Sequence, residues 1–256
     1  MKIRIGIALG PAAGPFGFAD AVDLLEETGV DSLWLQEMVY GPPVEPFVGM
    51  AHALARTSRL KVGTGVSVLP GRQPVLVAKQ LASLAGLAPG RVLPVFGLRP
   101  ARDRERALFA VPAGRRAAVF DESLELLRLL LRQETVSFAG EFFSVDSVSV
   151  GPLPVKPLDI WLGGSAPGGL RRVGRFGDGW LASFLTPDEA RAGREVIQAS
   201  AASAGREIEP DHFGVSLAVA QDGIPAELAA AVARRRPGTD PASLVATGWA
   251  SARRMI

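Results

Sequence analysis

The 256-residue chain has no cysteine, which excludes a disulfide framework, a thiol nucleophile and a Cys-ligated metal. Histidine is almost as scarce, with only His52 and His212. His52 falls in the helical stretch after the second strand pattern and reads as a surface or packing residue. His212 precedes the seventh strand pattern, at the end of the strand away from a site built on strand C-termini. Neither suits acid–base work, and no metal is expected. There are four lysines, Lys2, Lys61, Lys79 and Lys156, none at the C-terminal end of a strand. An isomerase or aldolase working through a Schiff-base lysine is therefore a weak alternative. No apolar run approaches the roughly 20 residues of a membrane span. The first run, in MKIRIGIALG, is too short for a signal peptide and is followed by Pro11 and Gly14. A cytoplasmic protein without a membrane partner is expected.

What the chain does contain is globular: 48% hydrophobic and 21% charged residues, enough to bury the core of one large domain. The net charge is only +2, so the high pI reflects arginine rather than an excess of basic residues. Arginines gather at 99–106, 115–116, 171–175 and 234–236. Acidic residues are interspersed and no aromatic strip accompanies them, which favours solvated helix faces over a nucleic-acid surface.

Strand and helix patterns alternate along the chain. Lys2–Leu9 reads as a first strand with Ile3, Ile5 and Ile7 on one face, and Gly10–Gly17 as its loop. Phe18, Val22 and Leu25 stripe a helix that Gly29 ends. Ser32–Glu37 is the second strand, followed by a proline-rich loop and a helix through Phe47, Met50 and Leu54. Leu60–Leu69 is the third strand, then a helix on Val77, Leu81 and Leu84, then Arg91–Gly97 as the fourth. After a polar segment, Leu98–Gly114, a helix carries Phe120, Leu124, Leu127 and Leu131. Val136–Phe138 and Glu141–Val145 flank Ala139-Gly140 as a hairpin excursion near 135–150. Gly179–Phe184 and Phe213–Ala220 are strands six and seven, and Thr186-Pro187-Asp188-Glu189 is a capping box with proline at N1. Thr239-Asp240-Pro241 starts one more short helix.

The stretch Asp159–Trp180, DIWLGGSAPGGLRRVGRFGDGW, carries the clearest chemistry. A short apolar strand runs into Gly163, Gly164 and Ser165, then into a basic helix. Free backbone N–H groups at a helix start, with glycines that let an anion approach, make a phosphate corner. A tight turn that needs glycine for its backbone alone fits the same residues. Arg171–Arg175 lie close enough in sequence to help with an anion.

Strand–helix alternation at this pace predicts a parallel sheet. A doubly wound sheet places its glycine-rich phosphate turn after the first strand, where GPAAGPFG has no clean G-x-G-x-x-G. A (β/α)8 barrel uses late loops instead and fits better. Seven strands are readable, so one barrel domain over 1–256, apparently lacking its eighth strand, is expected.

Three segments carry a family resemblance: VGTGVSVLPGRQPVLVAKQLASLAGLAPGRV, AVFDESLELLRLLL with VSFAGEFFSV, and DIWLGGSAPGGLRRVGRFGDGW. With the second strand they span nearly the whole chain in order. The chain resembles the luciferase-like monooxygenase superfamily, most of all its F420-dependent oxidoreductases. The resemblance implies a luciferase-like (β/α)8 TIM barrel and hydride transfer between coenzyme F420 and a small organic substrate. It also implies a homodimer. An FMN-dependent monooxygenase is the near alternative, and a truncated or non-catalytic cofactor-binding member is an alternative of another class. By resemblance, a cis peptide at Gly65–Val66 supports the cofactor ring, with Ser67 and Gly97 beside it. Gly163, Gly164 and Ser165 then hold the cofactor phosphate, and Asp178 and Trp180 belong to a GDGW motif. An ordinary buried strand whose glycines face a crowded barrel interior is the alternative, and the family match favours the cis bulge over it.

The departures are at the chemistry. Relatives place histidine after an acidic residue at the end of strand two, and this chain has Glu37-Met38. A glutamate found after strand four in one sugar-phosphate dehydrogenase branch is replaced in Gly97-Leu98-Arg99-Pro100. Glu37 is then the candidate for proton transfer, or it bonds backbone groups without titrating. Gln36, Met38 and Tyr40 form the expected substrate lip, stiffened by Pro42, Pro43 and Pro46. The arginine-rich loop Leu98–Arg106 is a candidate receiver of the acidic tail of F420.

Overall fold

A computed structural model of the protein describes residues 3–10 and 13–255. Lys2 of the expected first strand, and Pro11 and Ala12 of its loop, lie outside the described residues. The chain falls into two compact units that meet in sequence between Leu162 and Gly163.

The first unit begins with β1, Gly6–Ala8, shorter than the alternating isoleucines predict. Ile3 and Ile5 lie before it and are 64% and 61% exposed. Ile5 is held by Asp31, whose Oδ2 accepts its N–H at 2.8 Å and whose own N–H returns to the Ile5 carbonyl at 3.0 Å. A side chain thus ties the segment that an alternating pattern assigned to a strand. Helix α1, Phe18–Glu27, buries Phe18, Val22 and Leu25, and Gly29 follows it at φ 72°. That left-handed conformation favours glycine and ends the helix.

Strand β2 is Ser32–Leu35, and α2, Pro46–Arg56, has proline in its first turn and the Glu45 carboxylate accepting from Val48 N–H at 2.9 Å. The expected third strand is two pieces, β3 Lys61–Thr64 and β4 Ser67–Val68. Helix α3, Pro74–Leu87, packs Val77, Leu81 and Leu84 inward. The fourth strand is also broken, into β5 Val92–Leu93 and β6 Val95–Gly97. Pro94 sits at the break, where its missing N–H interrupts a ladder. A 3-10 turn, Asp103–Phe109, and α4, Arg116–Leu130, follow.

The hairpin is β7, Val136–Ala139, antiparallel to β8, Ser144–Val148. Its loop is longer than Ala139-Gly140 because Glu122 of α4 accepts the N–H groups of Glu141, Phe142 and Phe143 at 2.7–2.9 Å. Strand β9 is Trp161–Gly163. Within the unit β1, β2, β3 and β5 are parallel neighbours in that order, and β6 pairs with β4 on one side and with Trp161 and Leu162 on the other.

The second unit repeats the alternation. It holds α5 Pro167–Phe176, β10 Gly179–Ser183, α6 Pro187–Ser203, β11 Phe213–Ser216, β12 Ala218–Ala220 and α7 Ala226–Arg235. Strands β10 and β11 are parallel from Trp180↔Phe213 to Ser183↔Ser216. The capping box of α6 forms as its sequence predicts: Thr186 Oγ1 accepts from Glu189 N–H, and Glu189 accepts from Thr186 N–H. The short helix expected near 239–241 is a 3-10 turn, Pro241–Ser243, capped by Asp240.

The expectation of a missing eighth strand is corrected here. Val245–Thr247 forms β13, parallel to β12, and α8, Gly248–Met255, follows it. Three residues between two helical turns are too few for strand periodicity to show. Val245 and Ala246 are buried on both sides, as a parallel strand's residues are. Val245 packs with Ala220, Val232 and Leu244 in a small apolar cluster.

Candidate functional site

In the first unit the residues of interest converge on the end of strand three. The peptide Gly65–Val66 is cis, as the resemblance implied. Thr64, just before it, donates Oγ1–H to the Val95 carbonyl at 2.6 Å and accepts Val95 N–H at 2.8 Å. This buried hydroxyl replaces the ladder bonds that the bulge removes. A Cβ on Gly97 would stand 2.6 Å from Val66 Cγ2. Glycine at 97 is therefore a packing requirement of the Val66 side chain. Ser67 is completely buried, and its hydroxyl has no hydrogen-bond partner.

Glu37 lies beside this bulge and is buried. Its Oε2 accepts Val68 N–H at 2.7 Å, and its Oε1 is ion-paired with Arg72 Nη2. Val68 also pairs in register with Gly97, so one residue links Glu37 to the glycine. Arg72 returns a second bond, Nε–H to the Val68 carbonyl at 2.9 Å, and its guanidinium lies 5.7 and 5.5 Å from the Phe47 and Phe109 ring centres. Burial pushes the Glu37 carboxyl up from its ordinary range, against the pull of Arg72 and of Val68 N–H. Both carboxylate oxygens are thus engaged in holding backbone and guanidinium.

The expected lip residues part company. Gln36 is half-buried and donates Nε2–H to the Leu9 carbonyl at 3.2 Å. Met38 is buried, and Tyr40 is exposed. Tyr40 is gripped by the Asp103–Phe109 turn and its approach. Its N–H goes to Glu105 Oε1 at 3.0 Å, and its carbonyl accepts from Arg102 Nη1 at 2.5 Å and Arg104 Nη2 at 2.7 Å. Arg106 pairs with Asp103 at 2.7 Å. Arg99 is exposed.

In the second unit, β9 runs into Gly164 at φ 108°, a conformation that favours glycine. Ser165 and Ala166 follow, and α5 starts with Pro167 and no capping side chain. The space where a Cβ would stand on Gly164, Gly168 or Gly169 is open. The Gly164 carbonyl is fixed by Trp180 Nε1–H at 2.8 Å, so the indole does more than pack. Asp178 ties the following turn to Arg206 Nη2 at 2.9 Å, and its carbonyl meets His212 Nδ1 at 2.8 Å. Arg172 is buried, and Arg175 sits in the last turn of α5, so these two arginines of the expected cluster stand away from the helix start.

Arg72, Thr64 and Glu105 were not singled out in the sequence. Arg72 follows Leu69-Pro70-Gly71, where it looks like any loop arginine. Thr64 sits inside an apolar run, and Glu105 is hidden among alternating arginines.

A family model described as luciferase-like monooxygenase matches residues 3–254. The chain belongs to that family. F420-dependent glucose-6-phosphate dehydrogenase of Kineococcus radiotolerans is 31% identical over 175 residues, 65% of this chain and 52% of the relative. The chain spans about half the length of the curated relatives it matches. Among solved structures, an F420-dependent secondary alcohol dehydrogenase holding an F420–acetone adduct superposes with a TM-score of 0.77 at 21% identity, over 87% of this chain and 71% of its own. The oxygenating constituent of 3,6-diketocamphane monooxygenase from Pseudomonas putida, in complex with FMN, gives 0.72 at 17% identity, over 91% and 72%. The luciferase-like chain therefore has the α/β TIM-barrel fold of these enzymes. Among the described residues no helix is long and apolar enough to cross a membrane.

Proposed function

We propose that this luciferase-like protein is an oxidoreductase that takes coenzyme F420 and moves a hydride to or from a small organic substrate. The observation that carries a bound phosphate-bearing cofactor is the corner after β9: Gly164 at φ 108°, an uncapped start of α5 and open space around Gly164, Gly168 and Gly169. The F420-dependent relative favours F420 over FMN.

Each unit by itself offers part of what such a group needs. In the first unit Val66, half-buried at the bulge, is the residue that meets the ring, with Ser67 buried behind it, and Gly97 lets Val66 hold its position. In the second unit the backbone of Gly163, Gly164 and Ser165, with the uncapped start of α5, receives a phosphate. The cofactor supplies the two-electron hydride step when bound. Glu37 keeps the bulge in shape through Val68 and Arg72, and it would have to release one of them to move a proton. Of the arginines proposed to receive an acidic cofactor tail, Arg102 and Arg104 are committed to Tyr40. Arg99 carries that proposal, and an Arg99→Glu variant with unchanged F420 affinity would remove it.

Fluorescence titration with F420 and, separately, with FMN tests the proposal. Tight F420 binding and weak FMN binding support it. Preference for FMN moves the protein to the flavin monooxygenase reading, which the FMN-bound structural neighbour favours. Binding of neither leaves the non-catalytic reading. One support for that reading, the absent eighth strand, is gone with β13. A cytoplasmic homodimer belongs to the same proposal by family, and light scattering that gave a monomer would reject the dimer.

A further inference from the structure

We infer that the 3-10 turn Asp103–Phe109 is a clamp on the loop after β2, with Glu105 as the positioning residue that seats Tyr40. Three side chains from one short stretch hold both backbone groups of one residue. Glu105 takes the Tyr40 N–H, while Arg102 and Arg104 take its carbonyl. The Arg104 guanidinium also lies 5.6 Å from the Tyr40 ring centre. The prolines at 42, 43 and 46 stiffen the loop beyond this point, but none lies between Glu37 and Tyr40.

Glu105 is an expensive residue for this place. It is 0% exposed, and its Oε2 has no hydrogen-bond partner. Burying a carboxylate with one oxygen unused is worse for stability than an apolar side chain of the same size. What the carboxylate supplies is an acceptor at a fixed point for one amide. The other end of the turn braces the neighbouring element. Phe109 faces the guanidinium of Arg72, and a Cβ on Gly71 would stand 2.6 Å from the Phe109 carbonyl carbon. One seven-residue turn thus sets the place of Tyr40 and supports the arginine that pairs with Glu37. Since Met38 is buried and Gln36 is tied to Leu9, Tyr40 is the lip residue that presents its side chain to solvent. The turn then determines which substrates meet it. That last step rests on the proposed function; the clamp does not.

Hydrogen exchange measured by mass spectrometry on the cofactor-free protein tests the clamp. A peptide over 37–44 has few reporting amides because Pro42 and Pro43 carry none. Glu105→Ala should raise exchange there by about tenfold, the factor a typical net hydrogen bond corresponds to, with α1 and α3 peptides unchanged. Glu105→Gln keeps an acceptor oxygen for Tyr40 N–H, and it should restore wild-type protection. Unchanged exchange in Glu105→Ala, or equal loss in both variants, would overturn the clamp. If Glu105→Ala does not fold, the double variant Arg102→Ala/Arg104→Ala strips the carbonyl grip from the outside and should loosen the same peptide; no change there also overturns it. Cofactor binding is not read, so a protein that bound neither F420 nor FMN would reject the proposed function alone.

Discussion

The end of strand three, in the first unit, and the glycine corner after β9, in the second, are built in opposite ways. The first is made of side chains: Glu37, Arg72, Thr64 and Val66 lock a bent backbone from several directions. The second is made of backbone: Gly164 at positive φ, an uncapped helix start and open space around the glycines. Damage should therefore travel differently in the two regions. Changes at the bulge should cost stability first, and changes at the corner should cost ligand affinity first.

Arg72→Ala is the hardest test of this contrast. It leaves the Glu37 carboxylate buried without its cation and should cost about 3–5 kcal/mol in urea denaturation. A loss under about 1 kcal/mol would mean that the pair is not the lock described. Gly97→Ala comes next. The added methyl meets Val66 Cγ2, and overpacking of this kind costs about 1–3 kcal/mol, read as a lower melting temperature. Gly164→Ala meets no atom, so only the left-handed backbone resists it, at about 1–2 kcal/mol. Its larger effect should be on F420 or FMN affinity. If it melted lower than Gly97→Ala with affinity intact, the contrast between the two regions would fail.

The smallest effect belongs to neither region and calibrates both. Burial works to raise the Glu26 carboxyl, but N–H groups of Ser58, Arg59 and Leu60 and the Ser58 hydroxyl bring it down to about 2. A carboxyl lowered on folding adds stability above its ordinary value near 4.5 and surrenders it as pH falls from there toward 2. Glu37, shifted upward, has the opposite sign: its contribution is present at low pH and is lost as pH rises through its folded value. Acid titration of Glu26→Gln should flatten the first slope, and an unchanged slope would place the acid sensitivity elsewhere.

How much of this was legible in the sequence depended on whether the signal was periodic or singular. The stripes of α1, α2 and α3 and the capping box of α6 are repeated or spaced patterns, and they formed where expected. Gly164 was legible as a turn position, because a glycine pair after a strand marks one, and its φ of 108° is the conformation such a turn asks of glycine. Gly97 is named in the sequence only as a cofactor-binding candidate, and its packing reason, the room needed by Val66, appears only when two strands lie side by side. Glu37 stood out as an acid at a strand end, whereas its partner Arg72 lies 35 residues on and gives no local sign of pairing. Ile3 and Ile5 misled for the reverse reason: their alternation is genuine, but the Asp31 carboxylate and amide, not a full ladder, take that segment's backbone groups.

The brevity of β13 has a consequence for how the molecule opens. Its Val245 packs with Ala220, Val232 and Leu244, flanked by the partly buried Phe184, Ala218, Ile224 and Leu228, and the end of α7 is pinned by Arg236, which reaches the Phe184 carbonyl and Glu189. A cluster this small should behave as a foldon of its own, melting and re-forming while β2 and β3 stay paired. Its amides should exchange with solvent through partial opening, long before the chain as a whole unfolds. The last strand of the repeat is then the first to come undone, and proteases acting on the native protein should cut there before anywhere else among the described strands.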